Sequence, residues 1–270
     1  MNRELEAMLR IASEAARVVM EVYAKPFSVD YKAPRDPVTE ADRRANALIV
    51  ELLSREFPGI PIVAEESDPA TFAGFRASER IFFVDPVDGT REFVDRNGEF
   101  AVMIGLVEGT RALGAVIDAP ARGDVFAGWV GEGAWRIRDG KTESIRVSGI
   151  DDIRLGRIVG SRSHRGPRLE QALAQLGPRE VLVMGSAGLK GTLVACGEVE
   201  AYVAPGYAGQ RWDACATDAL VTAAGGKLTD THGDLIDYRA ASLANDRGLI
   251  ASNGRVRARL VAGLAALRSS

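Results

Sequence analysis

Three acidic segments carry the residue types that could do chemistry: Ile62-Val63-Ala64-Glu65-Glu66-Ser67, Phe83-Val84-Asp85-Pro86-Val87-Asp88-Gly89-Thr90 and Arg211-Trp212-Asp213. Each alone fits an ordinary role. Glu65-Glu66 suits a solvated strand end, Asp85-Pro86 and Asp88-Gly89 are turn dipeptides, and Asp213 suits a helix N-cap. Jointly they offer more. Pro86 fixes φ and stiffens the turn holding Asp85 and Asp88, Gly89 permits close approach, and Thr90 adds a hydroxyl beside both acids. Such a turn can present two carboxylates and the Val87 carbonyl to one small cation. Oxygen-only ligation suits Mg²⁺, and clustered carboxylates would repel one another without it.

Other chemistries are poorly supplied. The chain has two cysteines, Cys196 and Cys215, and two histidines, His164 and His232. That is too few for a disulfide framework or a zinc centre of Cys or His, and it points to a reducing compartment. Net charge is −3 over 270 residues, which gives nucleic-acid binding little support. No run of apolar residues is long enough to span a membrane. The first 25 residues intersperse Arg3, Glu4, Glu6, Arg10, Glu14 and Arg17 among apolar positions, the pattern of an amphipathic helix and not of a signal peptide, so a cytoplasmic location is expected. Two glycine-bearing decoys fail. Gly140-Lys141-Thr142 lacks the first glycine of a P-loop, where Trp135 stands, and Gly131-Glu132-Gly133 lacks the last glycine of a dinucleotide fingerprint, where Arg136 stands.

The elements that must position the acids are set by periodicity. Leu5, Met8, Leu9, Ala12, Ala16, Val19 and Tyr23 form one helical face, and a second helix runs from about Thr39 to Phe57. Thr39 with Asp42 three residues on forms a capping box, and Pro58-Gly59 ends the helix. Lys25 to Pro37, polar and proline-bearing, is a mobile loop or short hairpin. Short apolar runs at 60–64, 81–84, 102–107, 115–117, 125–129 and 134–137 then predict an antiparallel sheet packed by those helices. From about residue 155, strands (157–160, 181–184, 200–204, 248–251) alternate with helices (167–176, 189–196, 212–224, 256–267), the rhythm of an α/β layer. The seam falls in Thr142–Asp152, giving an N-terminal α+β part, 1–147, with most of the acids, and a C-terminal α/β part, 148–270.

The three acidic segments, with Pro37-Val38-Thr39-Glu40-Ala41-Asp42 before them, resemble the Mg²⁺-dependent, lithium-sensitive phosphatases of the inositol monophosphatase superfamily. The resemblance spans nearly the whole chain. It implies a layered α-β-α-β-α sandwich. It also implies Mg²⁺, two or three per site, held by Glu65, Asp85, Asp88, Asp213 and the Val87 carbonyl, with Glu66 as a neighbour. Asp42 and Thr90 take the place of the superfamily's water-activating pair, with Asp42 orienting the Thr90 hydroxyl.

The residues after Thr90 mark the branch. Arg91-Glu92-Phe93-Val94-Asp95-Arg96-Asn97-Gly98-Glu99-Phe100 resembles the bacterial 3′(2′),5′-bisphosphate nucleotidases rather than the inositol monophosphatases. Ser161-Arg162-Ser163-His164, Gly185-Ser186-Ala187-Gly188-Leu189-Lys190 and Gly225-Gly226-Lys227-Leu228-Thr229-Asp230 are similar to animal enzymes of that activity, and the second is one residue longer than the bacterial Gly-Ser-Ser-Leu-Lys. This resemblance implies a hydrolase acting in sulfur metabolism. It would remove the 3′-phosphate of 3′-phosphoadenosine 5′-phosphate, or of its 5′-phosphosulfate, by in-line attack of a metal-activated water. Gly89, Thr90, Ser161, His164, Ser186, Lys190 and Asp213 would contact the substrate, with Lys190 on the non-reacting phosphate. The turn ahead of the helix at 189 would offer N–H groups to an anion. The partner would be the small adenosine bisphosphate, with no nucleic acid. The superfamily commonly forms homodimers, though no exposed stripe here identifies an interface. The competing readings are an inositol or other sugar phosphate monoesterase on the same metal site, and a regulatory or RNA-associated protein that keeps the fold.

Overall fold

The computed structural model describes residues 1–33, 36–163 and 166–265. In chain order the elements are α1 (Arg3–Tyr23), β1 (Val29–Ala33), β2 (Asp36–Thr39), α2 (Glu40–Glu56), β3 (Ile62–Ala64), β4 (Arg80–Asp88), α3 (Thr90–Val94), β5 (Ala101–Glu108), β6 (Arg111–Ala119), β7 (Asp124–Trp129), β8 (Gly133–Arg138), β9 (Lys141–Ile145), β10 (Arg157–Ser161), α4 (Pro167–Leu176), β11 (Glu180–Met184), α5 (Ala187–Ala195), β12 (Ala201–Ala204), α6 (Arg211–Ala223), β13 (Lys227–Thr229), β14 (Leu249–Ser252) and α7 (Arg257–Leu264).

Five layers result. α1 and α2 bury Leu5, Met8, Ile11, Ile49 and Leu53 against one face of a sheet ordered β3-β4-β5-β6-β7-β8-β9. The other face of that sheet packs on α5 and α6, which also meet a second sheet ordered β11-β10-β12-β14-β13. α4 and α7 cover the far side of the second sheet through Leu169, Leu173, Leu260 and Leu264. This is the α-β-α-β-α sandwich. Close approach between layers is set by missing side chains. A Cβ on Gly105 of β5 would stand 2.5 Å from Cys215 Sγ, so α6 could not settle on the sheet with any other residue there.

Several expectations need correction. The first sheet is not wholly antiparallel, because β3 pairs parallel with β4 and brings Ala64 beside Val84. β4 does not end with the apolar run at Val84 but continues to Asp88, with a break in register against β5 between the two acids. A further strand, β9, of mostly exposed polar residues that carry no apolar run, pairs with β8 at the start of the expected seam. The second sheet is mixed: β10 is parallel to β11 and β12, whereas β14 is antiparallel to β12 and β13. The segment from Lys25 to Pro37, expected as a loop or short hairpin, holds β1 and the start of β2, which pair as an antiparallel hairpin. No helix among the described residues is long and apolar enough to cross a membrane.

Candidate active site and metal centre

The expected carboxylates converge. Asp85 and Asp88 from β4 meet Asp213 from α6, each offering an oxygen within 4.8 Å of the others. Burial raises the pKa of Asp85 well above the usual carboxylate range, and the neighbouring charges of Glu65, Asp88 and Asp213 raise it further. Asp213 is raised likewise, first by burial and then by Glu65 and Asp88. Such a group is electrostatically unfavourable by itself, and a divalent cation would relieve it. An all-oxygen donor set fits Mg²⁺ or Mn²⁺ and not the softer metals.

Glu65 flanks this trio rather than completing it. Its backbone N–H donates to Val84 O at 3.1 Å, which holds the end of β3 against β4, and its carboxyl meets that of Asp85. Its Oε1 also accepts from Lys32 Nζ at 2.7 Å, and Glu66 accepts from the same ammonium at 2.6 Å. Burial works against the Lys32 charge, yet the two carboxylates outweigh it and raise its pKa. Val87 donates its N–H to Asp85 Oδ1 at 3.0 Å and turns its carbonyl toward Thr90.

Three helix N-termini aim at the acids. Asp42 is the third residue of α2: its Oδ2 accepts from the Thr39 N–H at 2.8 Å and the Thr39 hydroxyl at 2.6 Å. Its other oxygen, Oδ1, lies 3.1 Å from Thr90 Oγ1, so the expected pair is in contact. Burial raises the Asp42 pKa despite those hydrogen bonds. Asp213 holds the same position in α6 and accepts the Gln210 N–H at 2.7 Å. Asp88 is gripped by the first turn of α5, through the N–H groups of Ala187 at 3.0 Å and Gly188 at 2.7 Å. Helix N-termini carry partial positive charge, so each stabilises an anion placed there. The anion that the α5 turn holds is therefore Asp88.

Gly89 makes this assembly sterically feasible. It has φ +93°, where side chains are strained, and a Cβ there would stand 2.7 Å from Glu99 O. Thr90 then starts α3 beside the trio.

A cavity of about 590 Å³ opens over the acids, within the range of a small-molecule site. Gly89, Thr90, Ser161, Ser186, Lys190 and Asp213 all line it, so the expected substrate residues come together. His164 lies outside the described residues. Lys190 is 3% exposed, its Nζ donates to Ser186 O at 2.6 Å and sits 5.0 Å from the centre of the Tyr202 ring. Burial lowers its pKa, against the pull of Asp88, Glu92, Asp213 and Glu99.

Sequence reasoning gave no role to three further groups. Lys32 reaches the site from the β1–β2 hairpin, a placement that only tertiary structure fixes. Glu92 is buried on the cavity wall and accepts the Ser163 hydroxyl. Glu99 joins Arg162, at 2.7 and 2.8 Å, to the Gly185 N–H at 2.7 Å, and thereby braces the turn before α5. The last two lie in the stretch after Thr90, and their i and i+7 acids were the available signal.

The inositol monophosphatase family profile matches residues 1–269. The chain belongs to this family. Within it, the chain is 37% identical over 236 residues to the 3′(2′),5′-bisphosphate nucleotidase CysQ of Salmonella typhimurium, covering 87% of this chain and 93% of the relative. Among solved members, the extragenic suppressor protein SuhB of Bartonella henselae superposes with a TM-score of 0.84 at 27% identity, covering 98% of this chain and 99% of that one. CysQ of Bacteroides thetaiotaomicron gives 0.78 at 28% identity, covering 93% and 97%. The family's metal dependence agrees with the acidic trio found here.

Proposed function

We propose that this family member is a Mg²⁺-dependent 3′(2′),5′-bisphosphate nucleotidase that releases the 3′-phosphate of 3′-phosphoadenosine 5′-phosphate or its 5′-phosphosulfate. The observation that carries the substrate class is the 37% identity to CysQ over 87% of the chain. Asp85, Asp88 and Asp213, with Glu65 and the Val87 carbonyl, would hold the cations. Bound there, divalent cations supply electrophilic stabilisation of the phosphoryl oxygens and of the leaving ribose oxygen.

The chain's own residues do the rest. Asp42 Oδ1, 3.1 Å from Thr90 Oγ1, fixes the hydroxyl beside the acids. Thr90 Oγ1 accepts a proton from the attacking water as its own proton passes to Asp42 Oδ1, whose raised pKa favours holding it. Water attacks phosphorus in line, and no covalent enzyme intermediate is needed. Among the described residues Lys190 has one of its three donors on Ser186 O, which leaves two for the non-reacting phosphate. Gly89 and Ser161 line the same cavity.

A second reading has its own support, since an inositol monophosphatase from Thermotoga maritima superposes at a TM-score of 0.84 with 25% identity. Phosphate release from the adenosine bisphosphate, its phosphosulfate and inositol 1-phosphate, each with and without Mg²⁺, separates the two. Faster turnover of the adenosine substrates supports the nucleotidase; faster turnover of inositol 1-phosphate overturns it in favour of the sugar phosphatase.

A further inference from the structure

Ser186 has a backbone conformation that needs a reason. Its φ is +58°, and the other non-glycine described residues at positive φ, Arg96 and Asp139, are exposed whereas Ser186 is buried. Glycine would adopt this conformation without strain, so the side chain must return something for the cost. Its Oγ does two things. It accepts the Leu189 N–H at 2.9 Å, capping α5, and donates its proton to Asp88 Oδ2.

The lone pairs on Asp88 show what that contact does. An ionised carboxylate has about four acceptor directions, two on each oxygen. Oδ2 is filled by the Ser186 hydroxyl and the Gly188 N–H. Among the described residues Oδ1 takes the Ala187 N–H alone and retains one direction. We propose that Ser186 is a positioning residue of the metal centre: by saturating Oδ2 it leaves Asp88 a single lone pair, on Oδ1, for the divalent cation. This role rests on the metal-dependent reading above and replaces direct contact with substrate. It also ties the two parts of the chain together, since Asp88 belongs to β4 of the first sheet and Ser186 opens α5 between the sheets.

Ser186→Gly is the decisive variant. It removes the hydroxyl while relieving the positive φ, and glycine is only slightly inferior to serine as an N-cap. Mn²⁺ binding measured by calorimetry on the phosphate-free protein should weaken about 10- to 100-fold, the usual scale for losing a group that orients a metal ligand. The melting temperature should stay near that of the wild type. Ser186→Ala, which keeps the Cβ, should show the same weakening and thereby separate the hydroxyl from the backbone effect. Wild-type Mn²⁺ affinity in a folded Ser186→Gly overturns the proposal. So does a raised KM with an unaltered isotherm, which would make Ser186 a substrate contact. Absence of Mn²⁺ binding by the wild type itself would instead overturn the metal-dependent reading, and this role with it.

Discussion

Asp213 and Lys190 face the same cavity with opposite charge, and their substitution should separate chemistry from binding. Asp213→Asn removes the charge of a proposed metal ligand at constant size while the amide oxygen can still accept the Gln210 N–H. We expect loss of Mg²⁺-dependent turnover with an unchanged circular dichroism spectrum, and near-wild-type activity would contradict the metal assignment. Lys190→Met keeps the packing against Tyr202 but removes the ammonium. A charge-assisted hydrogen bond of about 1.5–3 kcal/mol corresponds to roughly a ten- to hundredfold rise in KM for the bisphosphate with little change in kcat. Inositol 1-phosphate, which has no second phosphate, should be affected far less. Equal losses on both substrates would make Lys190 purely a brace for the Ser186 turn.

The elements matter because three helix starts carry the acids, and two of them do so by the same device. In α2 and α6 the third residue is a carboxylate that accepts the N–H of the residue before the helix. Thr39→Ala should therefore have a double effect. Loss of the cap should cost about 1 kcal/mol in a urea melt. Asp42 should lose the 2.6 Å hydroxyl contact that holds it under Thr90, lowering kcat more than it alters KM. A stability loss with kcat intact would show that the capping box serves α2 alone. The Thr39–Asp42 spacing made that device legible in the sequence, and the apolar runs made most strands legible. β9 was hidden because its residues, Lys141 to Ile145, lie on an exposed sheet edge where no burial selects an apolar pattern. β13 has three residues, too few for alternation to register. The contact of Lys32 with Glu65, like the positive φ of Ser186, depends on distant segments meeting, and no local pattern encodes it.

At the scale of the molecule, the layered packing buries acids that the metal centre does not use. Asp118, on β6 beneath α1, is 5% exposed and among the described residues has one side-chain partner, the Ser13 hydroxyl at 3.4 Å. Burial raises its pKa to about 7, with Ser13 opposing only weakly. The unfolded value is about 3.9, so the folded state binds the proton more tightly and stability must fall as pH rises from about 4 through about 7. Asp118→Asn should remove that loss: its stabilisation relative to wild type should be near zero at pH 4, grow to a few kcal/mol by pH 7 and then level off. A pH-independent difference in melting temperature would show that Asp118 is already ionised in the folded protein.

The site and the comparisons meet in one claim, that this fold holds a divalent cation against the phosphate of an adenosine bisphosphate. The most direct measurement is phosphate release from 3′-phosphoadenosine 5′-phosphate by the metal-stripped protein, titrated with Mg²⁺. Release of one phosphate per nucleotide, absent without Mg²⁺, restored on its addition and faster than from inositol 1-phosphate, is the expected result. Release that proceeds equally without divalent metal, or no release at any Mg²⁺ concentration, would contradict it.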